Sequence, residues 1–228
     1  MYRVEDKYSC DEQEIMMIQS RLKSALKPDQ NQSSDNSYKI TSVYFDDYYD
    51  THFQDTVAGY RFRQKYRIRI YNDSFQTIKL EIKYKRDSRV YKKTQSITLE
   101  QMRLLLAGKC IPDKYLSLDH TVTLFNLAII ERILRPKVIV EYDRSAYVFD
   151  AGNVRITLDR NLRTSTDFDG FLCNNQVNYL PVPDFDRIVE VKYDEFLPGF
   201  IAGLLETGNM KQTSYSKYRI CREAIQKY

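Results

Sequence analysis

The segment TIKLEIKYK, residues 77–85, indicates the fold class of this chain. Its charged positions alternate strictly with apolar ones, as Ile78, Leu80, Ile82 and Tyr84 are interleaved with Lys79, Glu81, Lys83 and Lys85. Successive side chains of a β-strand point to opposite faces, so this period of two predicts a strand with one apolar and one ionic face. The apolar face suits a core, and the ionic face carries the chemistry.

The same alternation recurs in four other segments: YRVEDKY (2–8), YRIRIY (66–71), VRITLD (154–159) and RIVEVKY (187–193). For one strand, a solvated face of an antiparallel sheet is the ordinary explanation. Five strands with ionic residues at their centres favour a sheet that closes with its aliphatic faces outward, beneath helices. Lysine and arginine side chains that converge inside such a barrel repel one another unless a polyanion occupies the space.

Flanking patterns predict the remaining elements. Strands are expected at residues 2–8, 39–46, 60–71, 76–86, 89–97, 137–149, 153–160 and 187–194. Helices are expected at 11–27, after a capping box of Ser9 and Glu12, at 98–108, where Thr98 and Gln101 form another, at 119–135, at 198–206 and from Ser216 onward. Residues 28–38 and 164–183 are expected to be loops. These elements predict an α+β fold, an eight-stranded antiparallel β tunnel (a closed barrel) with helices packed outside it.

Composition limits the alternatives. A length of 228 residues favours one domain over 1–228, and a net charge of +4 is too small to predict nucleic-acid binding by itself. Four scattered cysteines without a C-x-x-C pair argue against a zinc site or a disulfide framework, so we expect reduced thiols and a cytoplasmic location. The first residues lack the apolar stretch of a signal peptide, and no apolar run reaches the ~20 residues of a membrane span.

Several ordered tracts together resemble a known family. The tracts EDKY (5–8), TSVYFDD (41–47), YRIRIYN (66–72), LEIKYK (80–85), VRITLD (154–159), IVEVKY (188–193) and SKY (216–218) are similar to the VTC-type polyphosphate polymerase domain of the triphosphate tunnel metalloenzymes. The resemblance implies a tunnel whose basic walls hold a triphosphate. It also implies a divalent metal, Mn²⁺ or Mg²⁺, and transfer of the ATP γ-phosphate onto inorganic polyphosphate.

The resemblance also assigns site residues. The phosphate-binding set that it implies is Lys7, Arg67, Arg69, Lys83, Lys85, Lys93 (or its neighbour Lys92), Arg144, Arg155, Lys192 and Lys217, with Arg61 or Arg63 as a further arginine. Within that set the catalytic roles fall to Arg67, Arg69, Lys83, Arg144, Arg155 and Lys217. The metal ligand is expected to be Glu190, joined by Glu81 or Glu5.

One position departs from the hydrolytic relatives of the superfamily, which open with an E-x-E-x-K pattern. Here Arg3 stands in place of the first glutamate, which removes one carboxylate for metal or water activation and favours a polymerase. A terminal phosphate acceptor is already an oxyanion at neutral pH, so the presence of only two histidines does not contradict this activity.

Other functions stay open. The same tunnel would serve a tripolyphosphatase or nucleoside triphosphatase, or a non-catalytic module that binds polyphosphate or nucleotides. We expect no nucleic-acid partner, because Tyr44, Tyr142 and Tyr218 are predicted to pack on the apolar faces rather than among the basic rows. Asp46 is expected in a solvated turn, and His52 is expected at the surface. Relatives can be coupled to membrane components, so a membrane partner also stays open.

Overall fold

A computed structural model describes residues 3–30, 32, 37–87, 89–112, 120–173, 177–182 and 187–227. Within these residues eight long strands form the barrel: β1 (Arg3–Cys10), β2 (Tyr38–Asp46), β3 (Phe62–Tyr71), β4 (Ser74–Arg86), β5 (Arg89–Ile97), β6 (Arg135–Phe149), β7 (Val154–Ser165) and β8 (Arg187–Tyr193). Two-residue strands at Lys27–Pro28, Leu180–Pro181 and Lys211–Gln212 extend the sheet. The predicted strands are therefore confirmed, with β7 longer at its end than the expected 153–160.

The sheet closes on itself. Its strand order is β6–β2–β3–β4–β5–β1–β8–β7, and β7 pairs again with β6. All of these pairings are antiparallel, so residues opposite each other share a face. Lys7 lies opposite Glu190 and Arg67 lies opposite Glu81. This register places the ionic rows together on the inner face, as the alternation predicts.

In the described part of the chain, seven α-helices pack around the barrel: α1 (Glu12–Ala25), α2 (Thr51–Val57), α3 (Leu99–Leu106), α4 (Thr121–Arg132), α5 (Phe168–Leu172), α6 (Gly199–Leu205) and α7 (Lys217–Gln226). The short helices α2 and α5 were not predicted, and α5 lies within the range 164–183 that was expected to be a loop. None of these described helices is both long and apolar enough to cross a bilayer.

The first helix begins differently from the expectation. Asp11 caps it, because its Oδ1 accepts from the Glu14 backbone N–H at 2.8 Å and Glu14 Oε2 accepts from the Asp11 N–H at 2.9 Å. Ser9 still belongs to β1, where it pairs with Ile188, so it cannot cap the helix. At α3, Thr98 and Gln101 form the predicted capping box. Of the predicted loop 28–38, residues 31 and 33–36 lie outside the described part of the chain.

Two apolar cores cover the outer face of the barrel. Leu80 and Ile82 of β4 pack with Met102 of α3 and Phe125 of α4. On another side, β7 and β8 pack against α1 and α6. Truncating a fully buried leucine such as Leu80 to alanine lowers the free energy of unfolding by about 2–5 kcal/mol. The two cores therefore stabilise the strands that carry the inner ionic rows.

The last helix contacts the inner face instead. Tyr218 and Cys221 of α7 pack in one cluster with Tyr44 of β2 and Val140 of β6. The Tyr218 and Tyr44 rings stack with their centroids 5.1 Å apart. Ser216 caps α7 by accepting from the Arg219 N–H. The first turn of this helix is directed toward the interior of the barrel, where Ser216 and Tyr218 line the cavity.

Candidate functional site

The barrel encloses a cavity with an empty volume of about 870 Å³. Ten of its lining side chains are cationic: Lys7, Arg63, Lys65, Arg67, Arg69, Lys83, Lys85, Arg144, Lys192 and Lys217. Among the described residues, the carboxylates that line this basic cavity are Glu5 and Glu190. Ten basic side chains facing two carboxylates leave an excess of positive charge, even with the pKa values of Lys65 and Lys83 lowered, and this excess suits a polyanionic ligand.

One side of the basic cavity carries both carboxylates, and we call it the paired wall: Glu5 and Lys7 of β1, Lys83 of β4, and Glu190 and Lys192 of β8. Lys83 Nζ donates to both Glu5 oxygens, at 2.9 and 3.0 Å. Lys7 Nζ lies 3.3 Å from Glu5 and 3.6 Å from Glu190, and Lys192 pairs with both carboxylates. Each carboxylate side chain is only 6% exposed, so these pairs are shielded from water.

Charge and burial compete on the paired wall. Burial and the nearby Glu190 carboxylate favour the neutral form of Glu5, but the three lysines outweigh them and hold the pKa of Glu5 well below its usual range. Burial also disfavours ionised Glu190, yet Lys192 and Lys7 hold the pKa of Glu190 low as well. Burial lowers the pKa of Lys83 to about 7, although Glu5 opposes the shift. Both carboxylates are therefore ionised at neutral pH.

Two buried ion pairs fix the arginines at the centre of the basic cavity. Arg67 Nε donates to Glu81 at 2.6 Å, and Lys92 donates to the other Glu81 oxygen at 2.5 Å. Arg144 donates to both oxygens of Asp159, at 2.6 and 2.7 Å, and Lys217 reaches the same carboxylate at 2.6 Å. These bidentate and shared contacts fix the positions of the guanidinium groups before any ligand arrives.

An adjoining part of the basic cavity has no such partners, and we call it the unpaired wall: Arg63, Lys65 and Arg69 of β3 and Lys85 of β4. No described carboxylate lies within 4 Å of these four side chains. Lys65 Nζ donates to Ser216 Oγ at 2.7 Å and faces the Tyr218 ring at 5.8 Å. Arg69 donates to Ser42 Oγ at 3.1 Å and to Tyr142 Oη at 3.3 Å.

Lys65 was missed from the sequence. Burial lowers its pKa well below the usual range, and the neighbouring cations Lys7, Lys83 and Arg63 lower it further. The sequence does carry the signal, because in RQKYRIR (63–69) basic residues occupy positions 63, 65, 67 and 69, which share one face. The predicted row began at Tyr66 and therefore omitted its first half.

The three tyrosines that were predicted to pack on apolar faces line the basic cavity instead, so that prediction is wrong for them. Tyr44, Tyr142 and Tyr218 line the cavity together with the cations. Tyr44 Oη accepts from Arg67 Nη1 at 3.0 Å. Burial disfavours the phenolate of Tyr142, but the nearby Arg144 and Arg69 guanidinium groups lower its pKa overall. On the inner faces of β2 and β6, tyrosines thus line the cavity beside Arg144.

Three predicted site residues do not line the basic cavity. Arg155 instead bonds Asp29 at 2.9 Å and donates to Tyr38 Oη at 3.0 Å. Lys93 lies opposite Ile82, which packs in an outer core, whereas Lys92 lies opposite Lys83 on the inner face. Glu81 stands behind Arg67 as its counter-ion and is 1% exposed. Of the two candidate arginines, Arg63 lines the cavity and Arg61 binds Asp87 at the surface.

The acidic segment after β2 is structural. Asp46 is fully buried and accepts from the backbone N–H groups of His52 and Phe53 and from Tyr218 Oη. His52 is 2% exposed rather than at the surface. The expectation of a solvated turn is therefore wrong for these residues, because Asp46 anchors both α2 and α7.

The paired wall contains donors that fit a divalent cation. Glu5 and Glu190 are both ionised, and their negative charges are close enough to repel each other. Carboxylate oxygens are among the ligands that Mg²⁺ and Mn²⁺ prefer. The described residues hold no cluster of three or more acidic, histidine or cysteine side chains, so phosphate oxygens would have to complete the coordination. Glu81 does not fit this set, because it is 1% exposed and does not line the basic cavity.

Comparison with known proteins agrees with the barrel. A family model described as the VTC domain matches residues 2–226. A solved structure from Hippeastrum, described as a candidate adenylyl cyclase with a dominant triphosphatase activity, has a TM-score of 0.58 and 14% identity, with 98% of this chain and 95% of that chain covered. A candidate adenylate cyclase from Bacillus halodurans has a TM-score of 0.51 and 10% identity, with 99% and 88% covered. At such identities the structures show the fold alone, and no curated protein matches the chain.

Proposed function

The chain belongs to the VTC domain family, and from this premise we propose that it transfers the γ-phosphate of ATP onto a polyphosphate chain inside the basic cavity. The match over residues 2–226 supports treating the chain as one catalytic domain. The four cysteines, all within the described residues, form no disulfide, which accords with the cytoplasmic location that we propose. The substrates are then ATP and inorganic polyphosphate.

The unpaired wall is the observation that carries the proposal. Arg63, Lys65, Arg69 and Lys85 stand beside six other lining cations without a described carboxylate partner. Burial of several like charges without counter-ions is unfavourable, so the protein retains this arrangement at a cost to its stability. A triphosphate supplies the missing negative charge and explains why the cost is tolerated.

The geometry supports phosphoryl transfer by positioning and charge neutralisation. Arg67, Arg69 and Arg144 are fixed around the interior, where their guanidinium groups suit the β- and γ-phosphate oxygens. An oxyanion of the acceptor attacks the γ-phosphorus, the bond from that phosphorus to the β–γ bridging oxygen breaks, and ADP leaves with the electron pair. Lys83 and Lys217 stabilise the charge that develops on the leaving phosphates.

Glu5 and Glu190 would hold the divalent metal, Mn²⁺ or Mg²⁺. When bound, the metal supplies additional neutralisation of phosphate charge. Lys7 and Lys192 orient the two carboxylates through their ion pairs. This assignment keeps Glu190 as the predicted ligand, retains Glu5, and removes Glu81 from the set.

A triphosphatase is the second candidate, and the carboxylate pair Glu5 and Glu190 is the observation that favours it. The Hippeastrum protein of the same fold is described as having dominant triphosphatase activity. Against hydrolysis, lysines occupy both carboxylates, and Arg3 is bound to Asp194 at 3.0 Å rather than contributing a third acid. Water must be deprotonated by a general base, and both carboxylates are bonded to lysines, whereas an ionised terminal phosphate needs no base.

Product analysis tests the proposal. The purified protein is incubated with ATP and Mn²⁺ or Mg²⁺, and polyphosphate, ADP and free phosphate are quantified. We expect polyphosphate and ADP to accumulate, with little free phosphate. Lys83→Ala should reduce the rate roughly 100-fold or more, as for loss of one transition-state donor.

The matched control lies on the same strand. Lys79 does not line the basic cavity and donates to Ser96, so Lys79→Ala should retain wild-type activity. Release of free phosphate without polymer would instead identify the triphosphatase. Tight tripolyphosphate binding without turnover would identify a non-catalytic module, and equal activity of the two variants would contradict the assigned site.

A further inference from the structure

A second groove adjoins the basic cavity. The two share Arg63 and Lys85 as lining residues, so they meet at this edge of the barrel. The groove has an empty volume of about 730 Å³ and lies between α2, the start of β3 and the end of β4. Arg86 and Arg132 line its outer part, which the proposed transfer reaction does not use.

The groove is also basic. No described carboxylate lies within 4 Å of Arg63, Lys85, Arg86 or Arg132, and Asp55 is the one carboxylate among its described lining residues. The four cations form a continuation of the unpaired wall toward the surface. Such a row favours a ligand with repeated negative charges over a compact anion.

A buried polar atom marks the floor of the groove. His52 lines it, is 2% exposed, and its Nε2 has no hydrogen-bond partner among the described residues. An orphaned ring nitrogen at this depth is unfavourable unless a ligand or water bonds it. Phe62 at the rim is 61% exposed, but the Arg86 guanidinium lies over its ring at 5.2 Å.

We propose that this groove binds phosphate units of a long polyphosphate chain beyond those that the basic cavity holds. The inference rests on the proposed function and specifies its substrate as an extended chain rather than triphosphate. Phosphates in the cavity and the groove would be linked past Arg63 and Lys85. A nucleic acid is less suited, because Arg86 already covers one face of the aromatic ring that a base would stack on.

Chain-length-dependent binding tests the groove. Affinities for tripolyphosphate and for a long polyphosphate are measured by calorimetry with the wild type and with the double variant Arg86→Gln/Arg132→Gln. We expect the double variant to bind the long chain roughly tenfold more weakly, since two charge-assisted contacts are lost. Its affinity for tripolyphosphate should be unchanged, because neither residue lines the basic cavity. Arg103→Gln, on the exposed side of α3, is the matched control and should change neither affinity.

Two results would overturn the proposal: equal affinities of the double variant and the wild type for the long chain, or an equal loss of affinity for both ligands. Failure of the proposed function is distinguishable from these outcomes. If the protein binds long polyphosphate through the groove but makes no polymer, the proposal for the groove holds and the proposed transferase activity is wrong. If the protein makes polymer but the double variant binds long polyphosphate as the wild type does, the transferase activity holds and the proposal for the groove is wrong.

Discussion

The two walls of the basic cavity contain the same kinds of cation but differ in what neutralises them. On the paired wall, three lysines bond to Glu5 and Glu190. On the unpaired wall, Arg63, Lys65, Arg69 and Lys85 have no described carboxylate partner. The first arrangement is complete without a ligand, and the second becomes complete only when an anion binds. The difference assigns metal binding to the paired wall and gives the unpaired wall the cations that depend on phosphate for neutralisation.

Removal of a guanidinium group from the unpaired wall should have the largest effect on activity. Arg69→Met keeps the aliphatic stem but removes the donors that face the phosphates, so the rate of phosphoryl transfer should fall about 100- to 1,000-fold. Steady-state kinetics measures the loss, with Arg103→Met as a control outside the cavity. Activity within a few-fold of wild type would place phosphate binding elsewhere.

Neutralising a carboxylate of the paired wall should mainly reduce stability. Glu190→Gln leaves Lys7 and Lys192 with weakened partners, and removal of one member of a buried ion pair costs about 3 kcal/mol. Urea unfolding without metal measures the free energy of unfolding. The same variant should also lose the Mn²⁺ dependence of its activity, and unchanged stability together with unchanged metal dependence would refute the role of this wall.

The pH dependence of stability reports the buried lysine of the unpaired wall. Lys65 has a lowered pKa in the folded protein and an ordinary pKa near 10.4 when unfolded, so the unfolded chain binds more protons between these values. Its contribution therefore raises the free energy of unfolding as the pH increases from the lowered folded pKa toward the unfolded one. Comparing the urea-unfolding profiles of wild type and Lys65→Met isolates this contribution, and identical slopes would contradict it.

Much of this comparison could be predicted from sequence, because strict alternation assigns side chains to a face. The inner positions of Arg67, Lys83 and Glu190 follow from period two in the segments that contain them. The partners of these residues could not be predicted, since pairing depends on strand register, which closure of the barrel determines. The sequence also left open which of Lys92 and Lys93 faces inward. The strand register, which places Lys92 opposite Lys83, puts Lys92 on the inner face.

Other features depended on tertiary packing. Arg155 shares the inner-face alternation of its strand, yet Asp29 and Tyr38 hold it away from the basic cavity. The tyrosines of β2 and β6 resemble core residues in sequence, and only the approach of α7 shows that they face cations. The helix α2 has seven residues, too few for a clear apolar period, and buried Asp46 stabilises its start.

The most direct test of the account is the free energy of unfolding of Lys65→Met, measured with and without tripolyphosphate. Without ligand, the variant should be about 1 kcal/mol more stable than wild type, because a buried ammonium without a carboxylate partner is removed. With saturating tripolyphosphate, its gain in stability should be smaller than that of wild type, since an anion contact is missing. A variant that is less stable without ligand, and that gains as much from tripolyphosphate as wild type does, would contradict the claim that the unpaired wall exists to bind phosphate.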